Sequence, residues 1–113
     1  MLECRKDLVS EAAELVRRAI ESYFASKCRR MLSMVGITGQ REVAVEFYGF
    51  YRSYAPSENF PRFTHAYSYL EECAPSTLEE LLHGGRVEGA GEERRLVISV
   101  RALESICREL EEG

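Results

Sequence analysis

The sequence predicts a mostly helical fold with one β-hairpin, and three features of its pattern support that prediction. Apolar residues recur at steps of three and four through residues 7–36, as on one face of a helix. Prolines and paired glycines then divide the chain into shorter, helix-length segments. Near the C-terminal end, two strand-like stretches flank a glycine-rich turn. Because 113 residues can bury a core, we expect residues 1–113 to form a single domain.

The first predicted helix is long and amphipathic and covers residues 7–36. Charged side chains occupy its other faces, and Gly36 is expected to end it. A break near Ala25–Ser26 is left open. The apolar stripe consists of Val9, Ala13, Val16, Ile20, Phe24 and Met31. A stripe of this length exceeds what one small domain needs to cover, so we expect this helix also to form a homodimer.

The second predicted helix starts at Thr38, a suitable N-cap residue, and ends at Pro56. Val43, Phe47 and Tyr54 keep helical spacing along it. The same stretch also alternates apolar and polar residues, and its β-branched and aromatic side chains favour a strand. Helix is preferred for residues 42–51, and strand remains the alternative.

Two further helices are predicted before the hairpin. The third opens at residues 57–59, tolerates Pro61 in its first turn and continues to Cys73. The fourth begins with Ser76-Thr77-Leu78-Glu79, a capping-box pattern in which the serine hydroxyl and the glutamate carboxylate satisfy free backbone N–H groups. Gly84–Gly85 is expected to end it.

The segment after these glycines is predicted to form the hairpin and a last helix. Residues 86–88 and 95–100 are the two strands, with the turn between them at residues 89–91. The last helix starts at about Ala102. The glycines do not indicate a phosphate-binding loop, because the Gly-Lys-Ser/Thr ending is missing and Glu92–Glu93 follow.

The four cysteines, at positions 4, 28, 73 and 107, include no Cys-x-x-Cys pair. Zinc modules and dithiol redox sites need closely spaced ligands or thiols, so no metal and no other cofactor is expected. Buried free thiols are the favoured interpretation. Long-range disulfides stay open, because proteins inside hyperthermophiles do contain them. The single Asn and single Gln fit a thermophile, since thermolabile amides are scarce in such proteins.

Two observations predict a cytoplasmic protein that does not enter a membrane. No apolar run approaches the roughly 20 residues that cross a bilayer. The first seven residues are mostly charged and lack the apolar segment of a signal peptide.

Residues suited to catalysis are scarce. General acid–base and nucleophilic chemistry draw on His, Asp, Cys or Lys held close together. The chain offers His65, His83, Asp7 and two lysines, with no spacing that places a nucleophile beside a base. We therefore expect a protein that is not an enzyme and has no catalytic residues.

The distribution of charge is more informative. Residues 27–70 carry six basic and three acidic side chains, a net charge of +3, whereas residues 71–113 carry five basic and eleven acidic ones, a net charge of −6. All the aromatic residues lie between Tyr23 and Tyr69, and basic residues among aromatic rings can bind nucleic acid. The rings expected in the core are Phe47, Phe60, Phe63 and Tyr67. The rings too numerous for one side of a small core are Tyr48, Tyr51, Tyr54 and Tyr69, so some of them are expected at the surface.

From about residue 40, the order helix, helix, hairpin, helix resembles a winged helix-turn-helix domain, here preceded by the long N-terminal helix. The resemblance lies in the order of elements and includes no specific motif. It implies a winged-helix-like region over residues 38–113 and a DNA-binding regulator as one function. If the helix ending at Cys73 is the recognition helix, it presents Arg62, Thr64, His65 and Ser68 to nucleic acid. The wing then presents Arg86, Arg94 and Arg95.

The resemblance also permits the opposite assignment, with the short helix over residues 77–83 in the recognition position. That helix exposes Glu79 and Glu80, which would repel a DNA backbone but suit a protein partner. The positive charge of residues 27–70 and the polar side chains of the third predicted helix make a nucleic-acid-binding protein the leading hypothesis. The alternative is a non-catalytic adaptor or subunit that acts through protein–protein contacts.

Overall fold

The computed structural model describes residues 3–112, in which the mostly helical prediction is confirmed. The long first helix packs against four shorter helices, and a small antiparallel sheet packs against two of these. The elements are α1 (Lys6–Thr38), β1 (Glu42–Glu46), α2 (Phe47–Ser53), α3 (Phe63–Cys73), α4 (Pro75–Leu81), β2 (Arg86–Glu88), β3 (Arg95–Ser99) and α5 (Val100–Glu112). A single 3₁₀ turn, Gly91–Glu93, lies between β2 and β3.

Helix α1 is continuous, without a break near Ala25–Ser26, and the predicted end at Gly36 is wrong. A glycine ends a helix when the backbone turns left-handed there, and Gly36 does not. Gly39 does so, with φ at 70°, and its N–H donates to the carbonyl of Val35.

The apolar stripe of α1 is covered within the chain, because α1 packs against α2, α3, α4 and α5. Its buried residues are Ala12, Val16, Ala19, Ile20, Phe24 and Val35. Met34 and Ile37, at the C-terminal end, stay 55% and 83% exposed. The surplus of apolar surface that suggested a homodimer is therefore confined to these two side chains.

The preferred helix over residues 42–51 is wrong, and the strand alternative holds for its first half. Val43 and Val45 in β1 are buried while their neighbours are exposed, which is the alternation of a half-buried strand. β1 pairs with β3, and the sheet order is β1-β3-β2, so the predicted hairpin gains a third strand. Only the second half of the segment forms a helix, the seven-residue α2.

Two predicted helix starts are also wrong. Residues 57–62 precede α3 rather than belonging to it, and the side chains of Ser57 and Asn59 donate hydrogen bonds of 2.6 and 2.9 Å to the Glu11 carboxylate on α1. These bonds replace the expected helical turn. Helix α4 starts at Pro75 after Ala74 and has no side-chain cap, so the capping box does not form.

The last helix starts at Val100, two residues before the predicted Ala102. The hydroxyl of Ser99 accepts a hydrogen bond of 3.1 Å from the Ala102 N–H, as an N-cap serine does.

An ion-pair network connects the three strands on the outer face of the sheet. Arg86 contacts Glu42 and Glu88, each at 2.7 Å, and Glu88 also contacts Arg95 at 3.3 Å. Val97, opposite Arg86 in register, is buried on this face without belonging to the main core. The network therefore joins the edge strand β1 to β2 across β3.

The favoured interpretation of the cysteines as free thiols is wrong, because all four form disulfides. Cys4 pairs with Cys73 and Cys28 with Cys107, with Cα–Cα distances of 5.5 and 5.7 Å. The first bond joins the residues before α1 to the end of α3, and the second joins the middle of α1 to α5. Sequence spacing could not indicate these pairs, because each depends on how the helices pack.

Removing the disulfides should destabilise the fold. They link residues 69 and 79 positions apart, and loops of that size correspond to about 4 kcal/mol of unfolded-state entropy each. We expect Cys28→Ala with Cys107→Ala to lower the free energy of unfolding by roughly 2–5 kcal/mol, measured by thermal and chemical denaturation. The double variant Cys4→Ala with Cys73→Ala removes the other disulfide and serves as the matched comparison. Equal midpoints for the oxidised and the fully reduced chain would contradict this account.

The ion-pair network should make stability depend on pH. Hydrogen bonds from Arg86 hold the pKa of the Glu42 and Glu88 carboxyls below their usual values. Their stabilisation is then complete above the unfolded-state pKa of about 4.3 and is lost as the pH falls through the folded-state values. Glu42→Gln should therefore lose less stability than wild type between about pH 7 and pH 3 in urea titrations. Glu104→Gln, at an exposed position on α5, serves as the control and should lose as much stability over this pH range as the wild type does.

Candidate nucleic-acid interface

The residues predicted to contact nucleic acid do not form one surface. Arg62, Thr64 and Arg94 line a common groove. The two remaining residues of the predicted recognition helix lie in a different depression, and the two remaining wing arginines are engaged in ion pairs on the sheet. Those four residues are His65, Ser68, Arg86 and Arg95.

The α3 groove, as we call it, lies between α2, the start of α3 and the turn that joins β2 to β3. Its volume is about 570 Å³. Two half-buried tyrosines and two prolines give it an apolar wall, and Glu92 is its one acidic residue. The lining residues are Tyr51, Tyr54, Pro56, Pro61, Arg62, Phe63, Thr64, Gly91, Glu92 and Arg94.

Arg94 is held in this groove by aromatic contacts. Its guanidinium carbon lies 5.5 Å from the ring centroids of both Phe47 and Tyr67, a distance at which cation–π attraction operates. Its Nε donates to the carbonyl of Gly91 at 3.4 Å. Within residues 3–112 no carboxylate lies within 4 Å of either Arg94 or Arg62. The groove thus offers two arginines that form no ion pair within the described residues, although Glu92 also lines it.

His65 and Ser68 face a separate depression of about 430 Å³ beside the N-terminal part of α1. Leu8, Phe60 and Tyr69 form most of its apolar lining. Tyr69 is buried, and its hydroxyl accepts from the Arg5 N–H and donates to the Glu3 carbonyl. These hydrogen bonds connect the residues before α1 to α3, and the depression shares no lining residue with the α3 groove.

Sequence reasoning missed a second groove, the α1 groove, which lies between α1, β1 and α2. Its volume is about 640 Å³, and its lining includes Tyr23, Lys27, Glu46, Tyr48 and Arg52. Burial, with the charge of Glu46, raises the pKa of Tyr23, so its hydroxyl stays protonated at neutral pH. The basic residues and surplus tyrosines were visible in the sequence, but the continuous helix predicted from Thr38 assigned their faces wrongly.

Helix α2 separates the two grooves. Tyr51 lies on the side of the α3 groove, and Tyr48 and Arg52 lie on the side of the α1 groove. The close approach of α2 to α1 requires a glycine, because a Cβ at Gly49 would lie 2.5 Å from the ring of Tyr23. One short helix therefore carries part of both cationic surfaces.

The acidic residues of the alternative hypothesis line neither of the two grooves. Glu79 and Glu80 are exposed on α4 and have no ion-pair partner within residues 3–112. Glu80 shares a depression of about 200 Å³ with Arg17, Glu21 and His83, among others. In the described part of the chain, no group of three His, Cys, Asp or Glu side chains could hold a metal ion.

Comparison with protein-family models, curated proteins and solved structures finds no match to this chain. Between residues 3 and 112, no helix combines the length and the apolar character needed to cross a bilayer.

Proposed function

We propose that this chain is a non-enzymatic nucleic-acid-binding protein that contacts phosphate groups through the α3 groove. The observation that carries the proposal is the half-buried residue Arg94, which lines one groove together with Arg62 and has no carboxylate partner in residues 3–112. A cation in that setting is best satisfied by an anion from outside the chain.

Phosphate is the anion that suits this groove. Guanidinium groups donate paired hydrogen bonds to phosphate oxygens, and the Thr64 hydroxyl beside them can donate another. Glu92 opposes such a ligand, as does the net charge of −4. A local patch can still bind a polyanion, because charges beyond a Debye length of about 10 Å are largely screened at moderate salt.

The salt-dependent affinity of an Arg62 variant tests the proposal. Labelled duplex DNA, single-stranded DNA and RNA would be titrated with the protein at two salt concentrations. We expect Arg62→Glu to weaken binding about tenfold and to reduce the salt slope by about one, because one phosphate contact is lost. The thermal midpoint should stay unchanged, since Arg62 is exposed.

Arg101→Glu provides the matched control, because Arg101 is exposed on α5, away from both grooves. It makes the same charge change and should leave affinity close to wild type. Absence of binding to all three nucleic acids at low salt would contradict the proposal.

A protein–protein adaptor is the second candidate, favoured by the exposed and unpaired Glu79 and Glu80. Helix α4 directly precedes β2, which is the position that the second winged-helix assignment gives to the contacting helix. If nucleic acid does not bind, Glu79→Lys with Glu80→Lys should disrupt a complex captured from the source cell, whereas Arg62→Glu should not.

We propose a homodimer through α1 because Met34 and Ile37 are exposed at its C-terminal end. Sedimentation of wild type and Ile37→Glu decides it. We expect a wild-type dimer and a monomeric variant, because a buried charge at the contact is costly. Two monomers would end the dimer proposal.

We also propose that the protein works in the cytoplasm of a thermophile. The proposal is supported by the two disulfides, by the ion-pair network that connects the three strands, and by the scarcity of Asn and Gln. Such features accompany high growth temperature. A thermal midpoint below about 65 °C, within the range of mesophilic domains, would contradict it.

A further inference from the structure

Tyr48 is the most exposed aromatic residue in the described chain, with 60% of its surface accessible. It lies in the first turn of α2, where its neighbours Phe47 and Phe50 are buried in the core. The hydroxyl of Tyr48 makes no hydrogen bond within residues 3–112, whereas the hydroxyls of Tyr54 and Tyr69 do. Within the described residues the Tyr48 hydroxyl therefore has no hydrogen-bond partner, and tyrosine is a residue type that is enriched in contact surfaces.

Two cations share a groove with this ring. The guanidinium of Arg52, one helical turn along α2, lies 5.9 Å from the ring centroid, and Lys27 lines the same groove from α1. Neither cation has an ion-pair partner within residues 3–112. Glu46 is the one carboxylate of the groove lining. A ring beside unpaired cations suits a ligand that combines flat bases with phosphates.

The two grooves are close enough for one strand to occupy both. Only α2 separates them, and a helix with its side chains is about 10 Å across. Arg62 and Arg94 lie on one side of this helix, and Lys27 and Arg52 lie on the other. A strand that crosses α2 beside Tyr48 passes from the groove of Arg62 and Arg94 to the groove of Lys27 and Arg52.

We propose that the ligand is a single-stranded nucleic acid that crosses α2, with one unpaired base stacked on Tyr48. This inference rests on the proposed function and names its ligand class. A base in a duplex is already stacked and paired, so its face is not available to stack on Tyr48. Every base has a flat π-face, so recognition at Tyr48 tolerates different sequences.

The experiment measures anisotropy of fluorescein-labelled oligothymidylate, oligouridylate and a duplex of the same length, with the full oxidised chain. Tyr48→Ala should weaken binding of the single strands about tenfold, because base–aromatic stacking is lost, and should leave duplex binding unchanged. Tyr48→Phe keeps the ring and should bind as wild type. Glu46→Gln removes the opposing charge and should tighten single-strand binding.

Each outcome separates this inference from the proposed function. Single strands that bind more tightly than the duplex, and that depend on the Tyr48 ring, support it. Equal affinity of wild type and Tyr48→Ala for single strands overturns it, even if Arg62→Glu still weakens binding and the proposed function survives. Failure of all three probes to bind at low salt overturns both. The unfolding temperature of Tyr48→Ala is the control for misfolding. We expect it to equal that of the wild type, so that a loss of affinity can be assigned to the missing ring.

Discussion

The packing of aromatic rings around α2 is the interaction on which the rest of the structure depends. Phe50 lies 5.6 Å from Phe47 and 5.9 Å from Phe63, measured between ring centroids, and Phe24 on α1 completes the contact at 6.4 Å. A seven-residue helix is too short to be stable alone, so these contacts hold α2 in place. Because α2 forms a wall of each groove, the same rings determine where the unpaired cations lie.

Two disulfides and an ion-pair network stabilise the segments around this aromatic core. One disulfide joins the residues before α1 to the end of α3, the other joins α1 to α5, and the arginine–glutamate network joins the three strands. Each link connects segments that are distant in sequence, and none uses a residue of the groove linings that carry the proposed ligand contacts. The disulfides and the ion-pair network therefore stabilise the fold through residues that are separate from the proposed ligand contacts.

Local patterns predicted the long helix, the two strands of the hairpin, the last helix and the buried rings of Phe47, Phe60, Phe63 and Tyr67. They failed where the outcome depends on a distant segment. Val43 and Val45 are compatible with helix or strand, and the pairing with β3, some fifty residues later, decides the matter. The disulfide partners depend on helix packing in the same way.

The site was predictable only in part, because some of its contacts also depend on segments that are distant in sequence. Arg62 and Thr64 were chosen from one helix and Arg94 from the turn near it, and the structure brings these three together. Glutamates on other strands pair with Arg86 and Arg95, which no local pattern could indicate. Tyr48 was among the tyrosines expected at the surface, and it is exposed. Its position beside Arg52 in a second groove was not predicted, because it depends on where β1 ends and α2 begins.

The most direct test of the account is to map the ligand on the protein by NMR. Isotopically labelled, oxidised protein would be titrated with unlabelled oligothymidylate, and the amide shifts followed residue by residue. The account predicts that the changes concentrate on both sides of α2, at Lys27, Tyr48, Arg52, Thr64 and Arg94. No change, or changes confined to α4 and α5, would contradict it.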